Sequence, residues 1–434
     1  MKGLLRVKMI AHADGKVNIL RLSEELKMQK SGGAVTLMKN IDVIYLAGGP
    51  LEEKKPLAPY SEQVCEFLGE LSKRIQKDKE AKQYPDVLSF AFFCRSGNIK
   101  RLKTEFEDGR VRLGKGNVFH IAPSNIPINF AFTYVFGLLA GNANIVRVSA
   151  TKQYQQVDIV CRILNQMFEE EAYREIKNYT AIITYERNQE ITDALSGLAD
   201  ARVIWGGNET IADIRKSPLK PRCTEITFAD RFSFGIISAE QILDDTEEAI
   251  KKLAKDFYND TYLMDQNACS TPHLIIWDTR NCKQVTEAKN RFWQAVYEES
   301  LKYDLAEIKV SDKYVMTCKY AIELSNIREL KRYENYLYVY TLDSLTDSIT
   351  RLRGKFGLFF EYEAEDLAML GKYINETVQT CAYYGIDKQE LAEMIVKNHW
   401  TGIDRIVPFG KTLDIGTYWD GYDIVASLSR IIGV

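Results

Sequence analysis

Between residues 111 and 237 short apolar runs alternate with segments of helical period, and no other feature limits the fold as tightly. Asn117 to Ala122 reads as a buried strand, Pro123 to Pro127 as a turn, and Phe130 to Leu139 as an apolar helix stopped by Gly141. A strand over 144–148, a helix over about 154–171, a strand over 179–184, a helix over 190–198 and the run Ala201 to Trp205 continue the series. Strand, helix, strand at this spacing predicts an α/β fold with a parallel sheet and right-handed crossovers. A nucleotide cofactor on such a sheet sits beyond the carboxyl ends of the strands.

A chain of 434 residues is longer than one hydrophobic core of about 250–300 residues usually serves, so two domains are expected. We place an N-terminal region and cofactor-binding domain at 1–237, a catalytic cysteine domain at 238–408, and a segment packing back on the body at 409–434. Residues 1–56 read as strands and Gly-rich turns, such as Ile41 to Leu46, and 60–80 as a helix that packs on one face. Ala239 to Tyr258 is a long amphipathic run leading into a cysteine segment.

With 46% hydrophobic and 27% charged residues, the chain can bury a core without lipid, disulfides or a structural metal. A net charge of −3 gives no electrostatic reason for broad nucleic-acid binding. The start lacks a secretory h-region, and the most apolar stretch, Ile126 to Gly141, is broken by Pro127, Asn129 and Thr133. A cytoplasmic location without a membrane span is expected by elimination. Eight cysteines form no CxxC pair, and histidines 12, 120, 273 and 399 form no HxxxH, so no metal site is expected.

One cysteine stands apart. Cys269 lies among Asp265, Gln266, Asn267, Ser270 and Thr271, just before the apolar run Leu274 to Trp277. Free cysteines are commonly buried small hydrophobes, but a core sulfur seldom has so polar a setting, which favours a nucleophile. Backbone N–H groups after Asn267, particularly if Ser270 opens a helix, would lower the thiol pKa. His273 either lies near the thiol or bonds within the core. Asn125 is either a turn former or an amide that donates to a developing oxyanion. Gly206 and Gly207 read as an ordinary strand-to-helix turn or as a cofactor turn; neither GxGxxG nor GxxxxGK[ST] is present.

Taken jointly, Phe119-His-Ile-Ala-Pro-Ser-Asn-Ile-Pro127, Ala140-Gly-Asn-Ala-Asn-Ile-Val-Arg147, Val203-Ile-Trp-Gly-Gly-Asn208, Phe228-Ala-Asp-Arg-Phe-Ser233, Asp265-Gln-Asn-Ala-Cys-Ser270, Gly402-Ile-Asp-Arg-Ile-Val-Pro408 and Trp419-Asp-Gly-Tyr422 resemble the acyl-CoA reductase family. That family includes the fatty-acid reductase component of bacterial bioluminescence systems and is a branch of the aldehyde dehydrogenase superfamily. The resemblance runs from about residue 85 to the end. It implies two α/β domains of aldehyde-dehydrogenase type with an interdomain active-site cleft. It further implies Cys269 as the acyl-accepting nucleophile and Asn125 as the oxyanion amide.

On the same resemblance, Ala122 and Pro123 run beside a nicotinamide, Gly206 and Gly207 meet the cofactor's pyrophosphate, and Arg147 or Ser149 meets the adenosine ribose or a 2'-phosphate. The implied activity is NADPH-dependent reduction of a fatty acyl thioester to a fatty aldehyde. The donor is fatty acyl-CoA or an acylated carrier or synthetase protein, and a homodimer or higher homo-oligomer is expected. The alternatives are an NAD-dependent aldehyde dehydrogenase and a noncatalytic acyl-binding protein. Hydrolytic aldehyde dehydrogenases carry a water-activating glutamate in an ELGGK segment; here Glu225 stands out of that register. Phe356 to Phe360 with Tyr383 and Tyr384 are either core or the lining of an acyl tunnel.

Overall fold

The computed structural model describes residues 43–51 and 55–434. The strands and turns expected before residue 43 lie outside the described residues. The chain forms two units, one ending at Thr227 and regaining Val425–Val434, the other spanning Phe228–Ile424. The first unit thus ends ten residues before the expected boundary, and the second runs on past Pro408.

The first unit is built on six strands: β1 (Ile44–Gly48), β2 (Asn117–Ile121), β3 (Ala143–Ser149), β4 (Thr180–Tyr185), β5 (Ala201–Trp205) and β6 (Thr224–Phe228), in the order β1-β4-β3-β2-β5-β6. Strands β2 to β5 pair parallel and β1 joins antiparallel. The helix after β2, Asn129–Leu139, is buried on every side, as its unbroken apolar sequence demands. It packs against β3 closely enough that a Cβ on Gly137 would lie 1.7 Å from Asn144 Oδ1. The sheet order reverses at β2, where the chain leaves for β3 on one side and arrives as β5 on the other. That reversal opens the crevice where α/β sheets hold ligands.

Arg112–Gly114 pairs antiparallel with Ser429–Ile431, so the C-terminal segment packs on the first unit. Under this sheet His120 lies between Thr133 Oγ1 (2.7 Å) and Asn144 Oδ1 (3.0 Å), and Trp205 Nε1 donates to Thr133 Oγ1 at 3.1 Å. Burial lowers the His120 pKa to about 4, so the ring is a neutral polar tie within the core.

The main sheet of the second unit has seven strands: β7 (Phe232–Ser238), β8 (Pro272–Asp278), β9 (Ile327–Tyr333), β10 (Leu337–Leu342), β11 (Leu358–Ala364), β12 (Val378–Tyr384) and β13 (Arg405–Pro408). Their order is β9-β10-β11-β8-β7-β12-β13, with only the β9–β10 pair antiparallel. Alternate residues feed two cores. Phe234, Leu274, Tyr340 and Phe360 face one; Ile237, Ile275, Val339 and Phe359 face the other, with Phe257, Phe292 and Trp293 from the helices Glu247–Thr261 and Val285–Ser300. Leu358, Phe359 and Phe360 are core residues, and Tyr384 donates its hydroxyl to Asp245, so these positions follow the core reading rather than a tunnel.

The amphipathic run after Ser238 is two helices, Ala239–Asp244 and Glu247–Thr261. The break follows from capping, since Ser238 and Thr246 side chains each accept a backbone N–H three residues ahead.

Candidate active site

Cys269 sits in the loop between the Glu247–Thr261 helix and β8, and it is partly exposed, whereas Cys94, Cys161 and Cys381 are buried. The loop opens with two successive non-glycine residues in the left-handed region, Asp265 (φ 52°) and Gln266 (φ 59°). Each such residue costs roughly 1–2 kcal/mol, so it persists only where neighbours hold it. Asp265 Oδ1 accepts from the Tyr303 hydroxyl and from Lys309 Nζ at 2.9 Å. Gln266, 2% exposed, accepts the Gly357 N–H at 2.7 Å and donates to the Leu358 carbonyl at 3.0 Å. Past the cysteine, the Thr271 hydroxyl donates to the Asp260 carbonyl at 2.9 Å.

The thiol faces a segment that sequence reading quoted without assigning a role. The Arg231 backbone N–H favours the Cys269 thiolate. Ser233 Oγ donates to the Cys269 carbonyl at 2.7 Å and accepts from the Thr380 N–H at 3.2 Å. Arg231 is pinned through Nη2 to Asp404 (2.5 Å) and to the Val378 carbonyl (2.9 Å). Arg353 donates to Asp230 at 2.8 Å and to the Arg231 carbonyl at 3.0 Å.

Asp420 (φ 49°) and Gly421 (φ 74°) turn the hairpin Tyr418–Trp419/Tyr422–Asp423. Asp-Gly is the sequence signature of a type I′ turn, and it would have announced this hairpin. The turn holds Asp420 4.0 Å from Arg231 Nη1, with Gln379 Nε2 donating to it. Burial raises the Asp420 carboxyl to about 6 against the pull of Arg231.

The expected lowering of the thiol pKa is not found. Ser270 opens no helix; a turn passes directly into β8. Burial is the largest influence and raises the Cys269 pKa, the Arg231 N–H opposes it, and Asp420 and Asp230 add to the rise. Alkylation of Cys269 by iodoacetamide, followed by mass spectrometry, should therefore climb with pH and reach half its plateau above a free thiol's value of about 8.5. A midpoint below that of a small-molecule thiol in the same tube would contradict this environment. His273 is stacked on Phe232 at 5.8 Å with Nδ1 unpartnered. Burial and then Arg353 lower its pKa to about 3, so it stays neutral in the core and is no proton acceptor for the cysteine at neutral pH.

In the first unit, the loops at the carboxyl ends of β2, β3 and β5 gather the other sequence-assigned residues. Ala122 N–H donates to the Arg147 carbonyl at 3.0 Å, continuing the β2–β3 pairing past the strand end, and Pro123 is partly exposed beyond it. Asn125 is exposed, and its side chain makes no hydrogen bond among the described residues, so the local turn-forming role is unfilled. Tyr154 donates its hydroxyl to the Ser124 carbonyl at 2.9 Å and so ties the loop after β2 to the loop after β3.

Arg147 lies over the Tyr185 ring, 4.6 Å from its centroid, with Nε unpartnered and no carboxylate at ion-pair distance among the described residues. Ser149 shares a hydrogen bond with Thr151 at 2.9 Å. A Cβ on Gly207 would meet nothing within 4 Å, while one on Gly206 would approach Thr210 to 3.1 Å. Glu225 has both oxygens occupied, one by Arg202 and the other by Arg215 at 2.7 Å. Burial tends to raise its pKa, but Arg215 and Arg202 outweigh it and hold it down. No group of metal-ligating side chains occurs among the described residues, and no described helix is long and apolar enough to cross a membrane.

Two α/β units of this topology define the aldehyde-dehydrogenase fold. Solved structures similar to the chain include a salicylaldehyde dehydrogenase from Pseudomonas putida G7 (14% identity, 86% of this chain and 85% of that chain, TM-score 0.58). A 1-pyrroline-5-carboxylate dehydrogenase from Thermus thermophilus (13%, 86% and 81%, 0.56) and an NAD-dependent benzaldehyde dehydrogenase from Corynebacterium glutamicum (13%, 86% and 85%, 0.53) are also similar. No curated protein matches the chain. The family model for acyl-CoA reductase (LuxC) matches residues 100–431, and the chain belongs to that family. It is therefore a member of an oxidoreductase family that acts on acyl or aldehyde groups.

Proposed function

We propose that the protein reduces a fatty acyl thioester to a fatty aldehyde with NADPH, through an acyl group carried on Cys269. The observation that carries this reading is a partly exposed cysteine on a loop tied down on both sides by buried hydrogen bonds from Gln266 and Ser233. The Cys269 sulfur attacks the thioester carbonyl, a new C–S bond forms, and the donor thiol leaves with the proton that the cysteine gives up. In this reading the Asn125 amide is assigned to charge on the carbonyl oxygen and the Arg231 N–H to charge on the sulfur.

NADPH, when held by the first unit, would supply the hydride for the acyl carbon. The C–S bond then breaks as the carbonyl re-forms, aldehyde leaves, and one proton restores the Cys269 thiol. The balance is acyl thioester plus NADPH and a proton, giving aldehyde, free thiol and NADP+. The first unit's residues fit such a cofactor. The crevice at the order reversal is flanked by Ala122, Pro123 and the Gly206–Gly207 turn, with open space at Gly207 for a backbone-hugging pyrophosphate. Arg147, with no carboxylate partner among the described residues, suits the 2'-phosphate that distinguishes NADPH, and Ser149 the ribose.

A hydrolytic aldehyde dehydrogenase needs a free carboxylate to activate water. Glu225, the residue closest to that role in the sequence, is committed to Arg202 and Arg215, which favours reduction. The test is an assay with acyl-CoAs of several lengths and with NADPH or NADH, reading cofactor loss and product together. Aldehyde should accumulate in step with NADPH oxidation. Acid formed from aldehyde without CoA, with no reduction of acyl-CoA, would overturn the proposal. Native mass measurement should show a homodimer or larger assembly, and a monomer at all working concentrations would contradict that part.

A further inference from the structure

The loop that presents Cys269 is held through the turn that opens the neighbouring parallel strand β11, and one side chain makes the link. Gln266 is buried, sits in the left-handed region, and spends both ends of its amide on the start of β11: Oε1 accepts the Gly357 N–H and Nε2 donates to the Leu358 carbonyl. Gly357 (φ 91°) follows Phe356 (φ 57°), so the receiving turn is itself left-handed at two residues. A Cβ on Gly357 would lie 2.2 Å from the Tyr336 carbonyl oxygen.

That turn is fixed from its other side by Lys313, a buried lysine of the Glu307–Glu323 helix. Its ammonium donates to the carbonyls of Phe356 (2.7 Å) and Asn335 and lies 4.7 Å from the Tyr338 ring centroid. The same helix contributes Lys309 to Asp265, the residue before Gln266. Two successive loop residues therefore have separate anchors, three and four positions ahead of Cys269. The next fixed point is the Cys269 carbonyl, held by Ser233.

We infer that Gln266 is a positioning residue that sets the Cys269 sulfur against the Arg231 N–H, with Lys313 steadying the turn that Gln266 grips. Without the Gln266 clamp, the stretch from Gln266 to Ala268 loses its buried tie between the anchors at Asp265 and at the Cys269 carbonyl, and slack there carries the sulfur away from Arg231. The inference rests on reading Cys269 as the nucleophile. It concerns how the thiol is held, which can be measured without turnover.

Gln266→Met keeps length and volume while removing both hydrogen bonds. In this variant Cys269 alkylation should slow about tenfold at neutral pH and its pH midpoint should rise by about one unit, since thiolate falls tenfold per unit below the pKa. Acyl-enzyme formation should fall by a similar factor in kcat, with the KM for NADPH unchanged. A purely structural role would reduce the folded fraction and leave that midpoint in place; a folded variant with an unshifted midpoint overturns the inference.

Lys313→Met should shift the midpoint in the same direction by less, and a shift in the opposite direction also overturns it. Should neither variant fold, hydrogen exchange on the wild-type protein decides. Strong protection of the Gly357 amide supports the clamp, and exchange at the rate of an open loop sinks it. A Cys269→Ala protein that keeps its turnover would refute the acyl-enzyme reading while leaving the alkylation result standing, so the two failures are distinguishable.

Discussion

Cys269→Ala is expected to lower acyl-thioester reduction by about four orders of magnitude or more, the scale on which removing a covalent nucleophile acts. The fold should survive the change, because the residue is partly exposed and its structural tie to Ser233 runs through the backbone carbonyl. Thermal unfolding should therefore match the wild type while activity vanishes. Incubation with labelled acyl-CoA in the absence of cofactor, followed by digestion and mass spectrometry, should find the label on Cys269 in the wild type and on no residue in the variant. Label on another residue, or ordinary turnover by Cys269→Ala, would remove this sulfur from the mechanism. Cys269→Ser should not restore activity, because a serine hydroxyl needs a general base and His273, stacked in the core with its pKa lowered to about 3, is too weak to serve.

The second large effect is predicted for Asn125→Ala. Loss of one oxyanion donor costs about 10²- to 10³-fold in kcat, roughly 3–4 kcal/mol of transition-state stabilisation. The side chain makes no hydrogen bond among the described residues, so alanine should leave stability within about 0.5 kcal/mol of the wild type. Acylation and reduction both place charge on the same oxygen, so pre-steady-state measurements should show both steps slowed. KM for acyl-CoA should change little, since the interaction strengthens only as charge develops. An Asn125→Ala protein with wild-type kcat would return this residue to the role of an ordinary turn asparagine.

The two sheets differ in how plainly the sequence announced them. The parallel middle of the first unit was legible: the run from Ala201 into Gly206 and Gly207 was read, and Asn129–Leu139 and Gln189–Leu198 to within one residue, whereas the edge strand Thr224–Phe228 was not. Buried parallel strands are continuous apolar runs, and the helices between them repeat at 3.6 residues, so each element carries its own signature. In the second unit, the Ala239 to Tyr258 run hid a break, because Ser238 and Thr246 act as caps inside a stretch whose apolar period does not lapse. The Asp420–Gly421 turn was written in the sequence as a dipeptide and went unread as a hairpin.

Residue types and their local settings singled out Cys269, Asn125 and the Gly206–Gly207 turn as candidates, because polarity around a thiol and glycine after a strand are local properties. What surrounds the thiol was decided in three dimensions. Arg231, Arg353 and Asp420 come to the Cys269 loop from three separate stretches of chain, and no spacing in the sequence reveals a hydrogen bond between residues 91 positions apart such as Gln266 and Gly357. The sign of the thiol's pKa shift belongs to the same class. The chain fixes which groups carry charge, but desolvation depends on how many atoms crowd the sulfur, and only the packed loop sets that number.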